Sequence, residues 1–240
     1  FYSIGISVAL VSTIISMMGF GESLVRFIPV YASKKDCAGL AGLVRISIYI
    51  PFLFSLVTAC VIFFGSGFLA NTVFSQPVLE KTLKASAFLV PVWVLETSGA
   101  RTLQGGQYLY HFTLSNNICL PSIRLSGMFL LAIAGVLCPK TAVYIFGFSL
   151  LFAAVLNLSW SGRKYFPLLK NTVPRYDLRT ILRFTTPIYA SHILLVGGPS
   201  LQLLLIGMLG TSEDVGIFAP IYEFTLFSII VYNAVSMAGS

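Results

Sequence analysis

The stretch AGLAGLVRISIYIPFLFSLVTACVIFFGS, residues 38–66, carries a single charged side chain, Arg45, from end to end. Neither the two-residue alternation of a half-buried strand nor the polar stripe of a surface helix runs through it. A helix rises about 1.5 Å per residue and a bilayer's hydrocarbon layer is roughly 30 Å thick, so about 20 apolar residues suffice to cross it. Residues 38–66 are long enough to cross once. Closed β-barrels, the other solution that satisfies backbone polar groups in lipid, read as segments of about ten residues with alternating polarity. The continuous apolar run excludes that pattern.

Moving outward, the same texture recurs along the chain. Of its 240 residues, 57% are hydrophobic and 10% charged, with a mean hydropathy of +0.90. A water-soluble domain of this length cannot hide so much apolar surface in one core. Apolar windows bounded by charge, Gly and Pro place spans near 1–31, 38–66, 82–103, 108–137, 141–160, 180–208 and 214–240. The expectation is an all-α polytopic protein with about seven membrane-spanning helices.

Basic residues test the alternation of these spans, because Lys and Arg collect in cytoplasmic loops. Lys34, Lys35, Arg45, Arg101, Arg163, Lys164, Lys170, Arg175, Arg179 and Arg183 fall on one side, and only Lys81, Lys84 and Lys140 on the other. The net charge of +7 thus reports topology and not a nucleic-acid surface. A multi-pass protein of the cytoplasmic membrane follows. Both ends of the chain lie in apolar runs, so the chain is expected to be part of a longer protein. The four cysteines, Cys37, Cys60, Cys119 and Cys138, contain no CxxC pair and read as small hydrophobes.

SGRKYFPLLKNTVPRYDL, Ser161–Leu178, is the one long polar stretch, with prolines and mixed aromatic and basic residues suited to a membrane surface. It divides the chain into a helix bundle over 1–160, a cytoplasmic linker over 161–178 and the start of a second bundle over 179–240. A weak internal repeat agrees with that division: IFAPIYEFTLFSII from Ile217 resembles FYSIGISVALVSTI from Phe1.

Two stretches carry a family likeness. GFGESLVRFIPVYASKKD, Gly19–Asp36, resembles the second-span signature of the oligosaccharide flippase family, a glycine-rich turn followed by VRFIP and a basic loop. ILRFTTPIYASHILLVGGPSLQLLLIGMLGTSEDVGIFAPIY, Ile181–Tyr222, is similar to that family's seventh span, outer loop and eighth span. The resemblance implies the MATE-like flippase superfamily, with two six-helix bundles facing a central cavity that opens alternately to each side. The chain would then hold the first bundle without its first helix and the start of the second. The implied activity is flipping of undecaprenyl-diphosphate-linked oligosaccharide repeat units across the membrane for cell-surface polysaccharide biosynthesis. The implied partners are the lipid-linked oligosaccharide, the phospholipid bilayer and the polysaccharide polymerase machinery.

Ionisable groups at membrane depth cost several kcal/mol or more unless paired or hydrated, so each is a site candidate. Glu22 and Arg26 are four apart and can pair on one helical face. Counted from Lys34, Arg26 lies about 12 Å deep and Glu22 about 18 Å. Arg124 sits near the middle of its span, with the helix-bending Pro121 one turn earlier and no acidic residue within a turn. Arginine presents a permanent charge and a forked donor set suited to phosphate oxygens. Arg26, Arg124 and Arg45 are therefore the expected phosphate-binding residues, Arg45 having snorkelling to the interface as its alternative. Glu22, His192 and Glu223 are the expected ion-coupling residues, since such groups titrate or bind a cation. Glu96 is expected to pair with Arg101.

No GxxxxGK[ST], HExxH or GxSxG motif occurs, and two histidines offer little to a metal. Neither a cofactor nor a metal is expected, and the chain is not expected to be an enzyme. The rival readings are a multidrug or organic-cation antiporter, for which an acidic cavity is the better fit, and a polytopic membrane enzyme acting on lipid-linked sugars. A flippase for a peptidoglycan precursor shares the cationic logic.

Overall fold

A computed structural model describes residues 1–136, 138–195, 197–210 and 214–221, all helix and connecting turn, with no strand among them. The helices are α1 (Tyr2–Met17), α2 (Phe20–Ser33), α3 (Cys37–Phe68), α4 (Leu79–Ala87), α5 (Leu89–Gly105), α6 (Leu109–Thr113), α7 (Leu120–Ile133), α8 (Pro139–Asn171), α9 (Leu178–Leu195) and α10 (Gly198–Leu209). Wide π-helical turns at Leu69–Val73 and Leu114–Cys119 extend α3 and join α6 to α7.

Three helical stretches are long and apolar enough to cross a membrane: Cys37–Val73, Leu109–Ile133 and Pro139–Tyr165. Counting each of two bent pairs as one span, α1 with α2 and α9 with α10, brings the number to five among the described residues. This is the architecture of a multi-pass membrane protein. The segment expected at 82–103 is divided between α4 and α5, and most of the one expected at 214–240 lies outside the described residues.

Side chains are distributed for a lipid solvent. Phe64 on α3 is 83% exposed and Leu125 on α7 73%, whereas Ser16, Ser47, Ser55, Ser98 and Ser149, on α1, α3, α5 and α8, are buried. In water such an apolar exterior would be an association surface; in lipid it is solvated, and small residues let helices approach closely. Ser16 bonds the Thr58 hydroxyl across α1 and α3 at 2.9 Å.

The bends have local causes. Between α1 and α2, Met18 (φ 46°) and Gly19 (φ 76°) both take left-handed backbone and turn the chain by 46°. Pro121 has no N–H to return to a carbonyl one turn earlier, and the π turn at Leu114–Cys119 precedes it. Asp36 caps α3, its side chain accepting from the Gly39 N–H at 2.9 Å.

Two ends of the bundle can be distinguished. At one, the Arg175 N–H donates to the Ala38 carbonyl at 2.9 Å, and its guanidinium pairs with Asp36. Gly42 permits this approach: a Cβ there would overlap the Arg175 carbonyl. The turn at Gly106 reaches the same end, beside the Tyr165 hydroxyl. The connection carrying Lys34 and Lys35 and the last turns of α8 carrying Arg163 and Lys164 therefore lie toward this end. At the other end, Ile4, Phe74, Leu79, Leu83, Leu203 and Val215 form one core cluster. The polar stretch expected as a linker over 161–178 is different in form: α8 runs through it to Asn171, leaving 172–177 as the connection.

Candidate functional site

A cavity of about 190 Å³ opens between α1, α2, α5 and α9. Its walls follow helical periodicity. Leu10, Thr13, Ile14 and Met17 come from α1 at spacings of three and four, Trp93, Thr97 and Arg101 from α5 at spacings of four, and Tyr189 and His192 from α9 three apart. Gly21 and Glu22 complete it from the start of α2, where the left-handed break delivers them. Gly21 leaves room for Arg101, whose Cγ would lie 3.3 Å from a Cβ at that position.

Three ionisable groups meet here. Arg101 Nη2 lies 3.0 Å from Glu22 Oε1, and His192 Nε2 lies 3.3 Å from the same oxygen. The Arg101 guanidinium also donates to Gln104 Oε1 at 3.0 Å. All three side chains are about a quarter to a third exposed, so they stand at the cavity wall and not in a sealed core. The arrangement can hold an anion against Arg101 and His192 once Glu22 releases them, or pass a proton between imidazole and carboxylate.

Of the residues expected from sequence, the structure unites Glu22 with His192. Arg26 does not pair with Glu22; its guanidinium lies 4.5 Å over the Phe184 ring on α9, outside this cavity. Arg45 is half-buried on α3 and is not among the cavity's lining residues. Arg124 occupies the α7–α8 contact, donating through Nε to Ser149 Oγ at 3.0 Å and lying 3.8 Å over the Phe146 ring. Glu223 lies outside the described residues.

Glu96 is not the partner of Arg101. They are five positions apart, which turns their side chains about 140° from one another on a helix. Glu96 faces α8, 6% exposed, and accepts from Asn157 Nδ2 at 3.1 Å. Arg101 is the cavity residue that its place near a basic turn disguised. The spacing of Trp93, Thr97 and Arg101, one stripe of an amphipathic helix, is the signal that marks it. No group of three or more His, Cys, Asp or Glu side chains among the described residues is arranged to hold a metal ion. No protein-family model, no curated protein and no solved structure matches the chain.

Proposed function

We propose that the chain belongs to a secondary transporter that flips a diphosphate-linked oligosaccharide lipid from the cytoplasmic to the outer leaflet. The observation that carries this reading is the cluster of Glu22, Arg101 and His192, contributed by three helices and facing one cavity. Charges at this depth are costly and mark substrate or ion paths. Two helix breaks support it, since Gly19 borders the cavity at the α1–α2 break and His192 lies just before the α9–α10 break. Discontinuous helices around a polar site are a recurrent feature of secondary transporters. The GFGESLVRFIP and ILRFTTPIY stretches give the reading its substrate class, and both contribute walls of this cavity.

In this reading Arg101 exchanges Glu22 for a substrate phosphate, and Glu22 with His192 takes up the coupling ion. A cavity of about 190 Å³ admits a small polar group and not a sugar chain, so transport requires α9 to move away from α2. Glu22, Arg101 and His192 would hold the closed form together. Arg26, Arg45 and Arg124, which lie outside this cavity in the closed form, would become further phosphate contacts only once the helices move apart; Glu223 would be a further ion-coupling group, and the polysaccharide polymerase machinery the consumer of the flipped unit.

The test is export of lipid-linked sugar in cells carrying the protein with Arg101→Ala, Arg101→Lys, Glu22→Gln, Arg26→Ala or Arg124→Ala, at matched membrane expression. The expected result is loss of export by tenfold or more in Arg101→Ala, roughly the value of a charge-assisted contact, with partial rescue in Arg101→Lys. Loss confined to Arg124→Ala or Arg26→Ala moves the phosphate to that residue. Full export in all the arginine variants overturns the cationic reading and favours an organic-cation antiporter centred on Glu22.

A further inference from the structure

A second cavity, of about 210 Å³, lies at the basic end of the bundle where α5 passes through a turn into α6 beside the last third of α8. Leu103, Tyr108, His111, Trp160, Arg163 and Lys164 line it, and none of these is acidic. The aromatic wall is ordered edge to face: His111 and Trp160 have ring centroids 4.9 Å apart at 72°, and Tyr108 stands 6.3 Å from His111 at 86°. Lys164 Nζ sits 5.1 Å over the Tyr108 ring.

Charge and shape coincide at this pocket. Arg101, Arg175 and Lys84 each have a carboxylate partner, in Glu22, Asp36 and Glu80. Arg163 and Lys164 have none among the described residues. Two adjacent cations without a carboxylate partner among the described residues, a condition Lys34 and Lys35 share, stand here at a concave aromatic wall.

Depth identifies the anion. Trp160 is 21 residues along α8 from Pro139. That is about 32 Å of helix, one hydrocarbon thickness, and Arg163 and Lys164 extend about 5 Å further. Trp160 is therefore at the level of an interfacial aromatic belt and the two cations are at the level of lipid phosphates. Just beyond the pocket, Leu109 and Tyr110 on α6 are 59% and 74% exposed, an apolar surface on which acyl chains can lie.

We propose that this pocket binds the phosphate of an anionic phospholipid headgroup, with Arg163 and Lys164 on the phosphate oxygens and Trp160 and His111 walling the headgroup. Unpaired snorkelling cations would need no cavity; here the ring wall and the empty volume make a site of headgroup size. The site is separate from the Glu22 cavity and does not depend on the transport reading.

The full chain, purified in neutral detergent, is titrated with dioleoylphosphatidylglycerol, with dioleoylphosphatidylcholine and with inorganic phosphate, and bound ligand is counted by native mass spectrometry. The variants are Arg163→Gln/Lys164→Gln and, as a matched charge control at the same end, Lys34→Gln/Lys35→Gln. All four side chains are exposed, so folding is not at stake in either variant. The expected result is saturable binding of phosphatidylglycerol over phosphatidylcholine, weakened about 20-fold in the pocket variant and by less than threefold in the control. Equal binding of the two lipids, an unchanged pocket variant, or equal loss in the control overturns the site. Displacement of phosphatidylglycerol by millimolar inorganic phosphate assigns the pocket to a soluble phosphate and overturns the lipid source.

Discussion

Glu96 and Asn157 show how a buried polar pair is held in this bundle. The carboxyl is 6% exposed and takes one amide hydrogen bond from Asn157 at 3.1 Å and a longer one from Thr97 at 3.4 Å. Asn157 Oδ1 is buried with no hydrogen-bond partner among the described residues. Gly99 lies against Asn157, and its missing side chain brings α5 and α8 close enough for the bond. Asn157→Leu removes the amide donor and leaves the buried carboxyl with Thr97 alone, so it is expected to destabilise by roughly 1–3 kcal/mol. Glu96→Gln keeps an acceptor facing the amide and is expected to cost under about 1 kcal/mol. Unfolding in detergent by heat, followed for both variants, checks the contrast; equal effects would mean that the pair contributes only its volume. Of this residue-scale arrangement, the sequence displays the costly groups but not their partners. Spacing along α5 already separates Glu96 from Arg101, whereas the meeting of Glu96 with Asn157, 61 positions away, depends on how α8 packs.

Among the elements, the α1–α2 pair is the one whose geometry makes the candidate site. An unbroken helix would carry Glu22 past the cavity wall. Gly19, at φ 76°, turns α2 so that Glu22 meets Arg101 and His192, and its missing side chain lets the Thr185 carbonyl approach to 3.1 Å of where a Cβ would be. Valine at this position meets two penalties, left-handed backbone for a β-branched residue and overlap with α9. Gly19→Val is expected to cost about 1–3 kcal/mol and to release α9 from α2. Hydrogen exchange is the measurement: protection should fall in 178–195 while the centre of α3 stays protected. Unchanged protection of α9 would show that the bend does not hold the two helices together. The glycine-rich GFGE stretch announces a break in the apolar run. The direction of the 46° bend and the helix it faces come from packing.

At the scale of the whole molecule, the convergence of the basic connections at one end makes a topological prediction. Cys138 precedes α8 at the opposite end, fully exposed, and its thiol is held below the ordinary thiol range, chiefly by hydrogen bonds from the Thr141 side chain and backbone. A lowered value means that the reactive thiolate persists to lower pH than in an ordinary cysteine. A membrane-impermeant maleimide added to right-side-out vesicles is expected to label Cys138, whereas a Lys35→Cys thiol should react only after permeabilisation. The rate at Cys138 should fall with decreasing pH through a midpoint below that of a free thiol, and Thr141→Val should raise that midpoint. Labelling of both positions from the same side would invert or break the proposed alternation.

The amino-acid sequence by itself determined the helical class and the apolar, membrane-spanning character of the chain, and it supplies the expectation of sidedness. These are additive properties: each apolar residue favours lipid, each backbone group must find its partner within its own helix, and each Lys or Arg biases its own loop. Only the tertiary structure decided that Glu22 faces Arg101 and not Arg26, that Glu96 meets Asn157, that Arg124 enters the α7–α8 contact, and that α8 continues as helix to Asn171. Those outcomes depend on the rotation and tilt of whole helices against one another. A change of one position in helical phase turns a side chain by about 100°, and close packing chooses the phase.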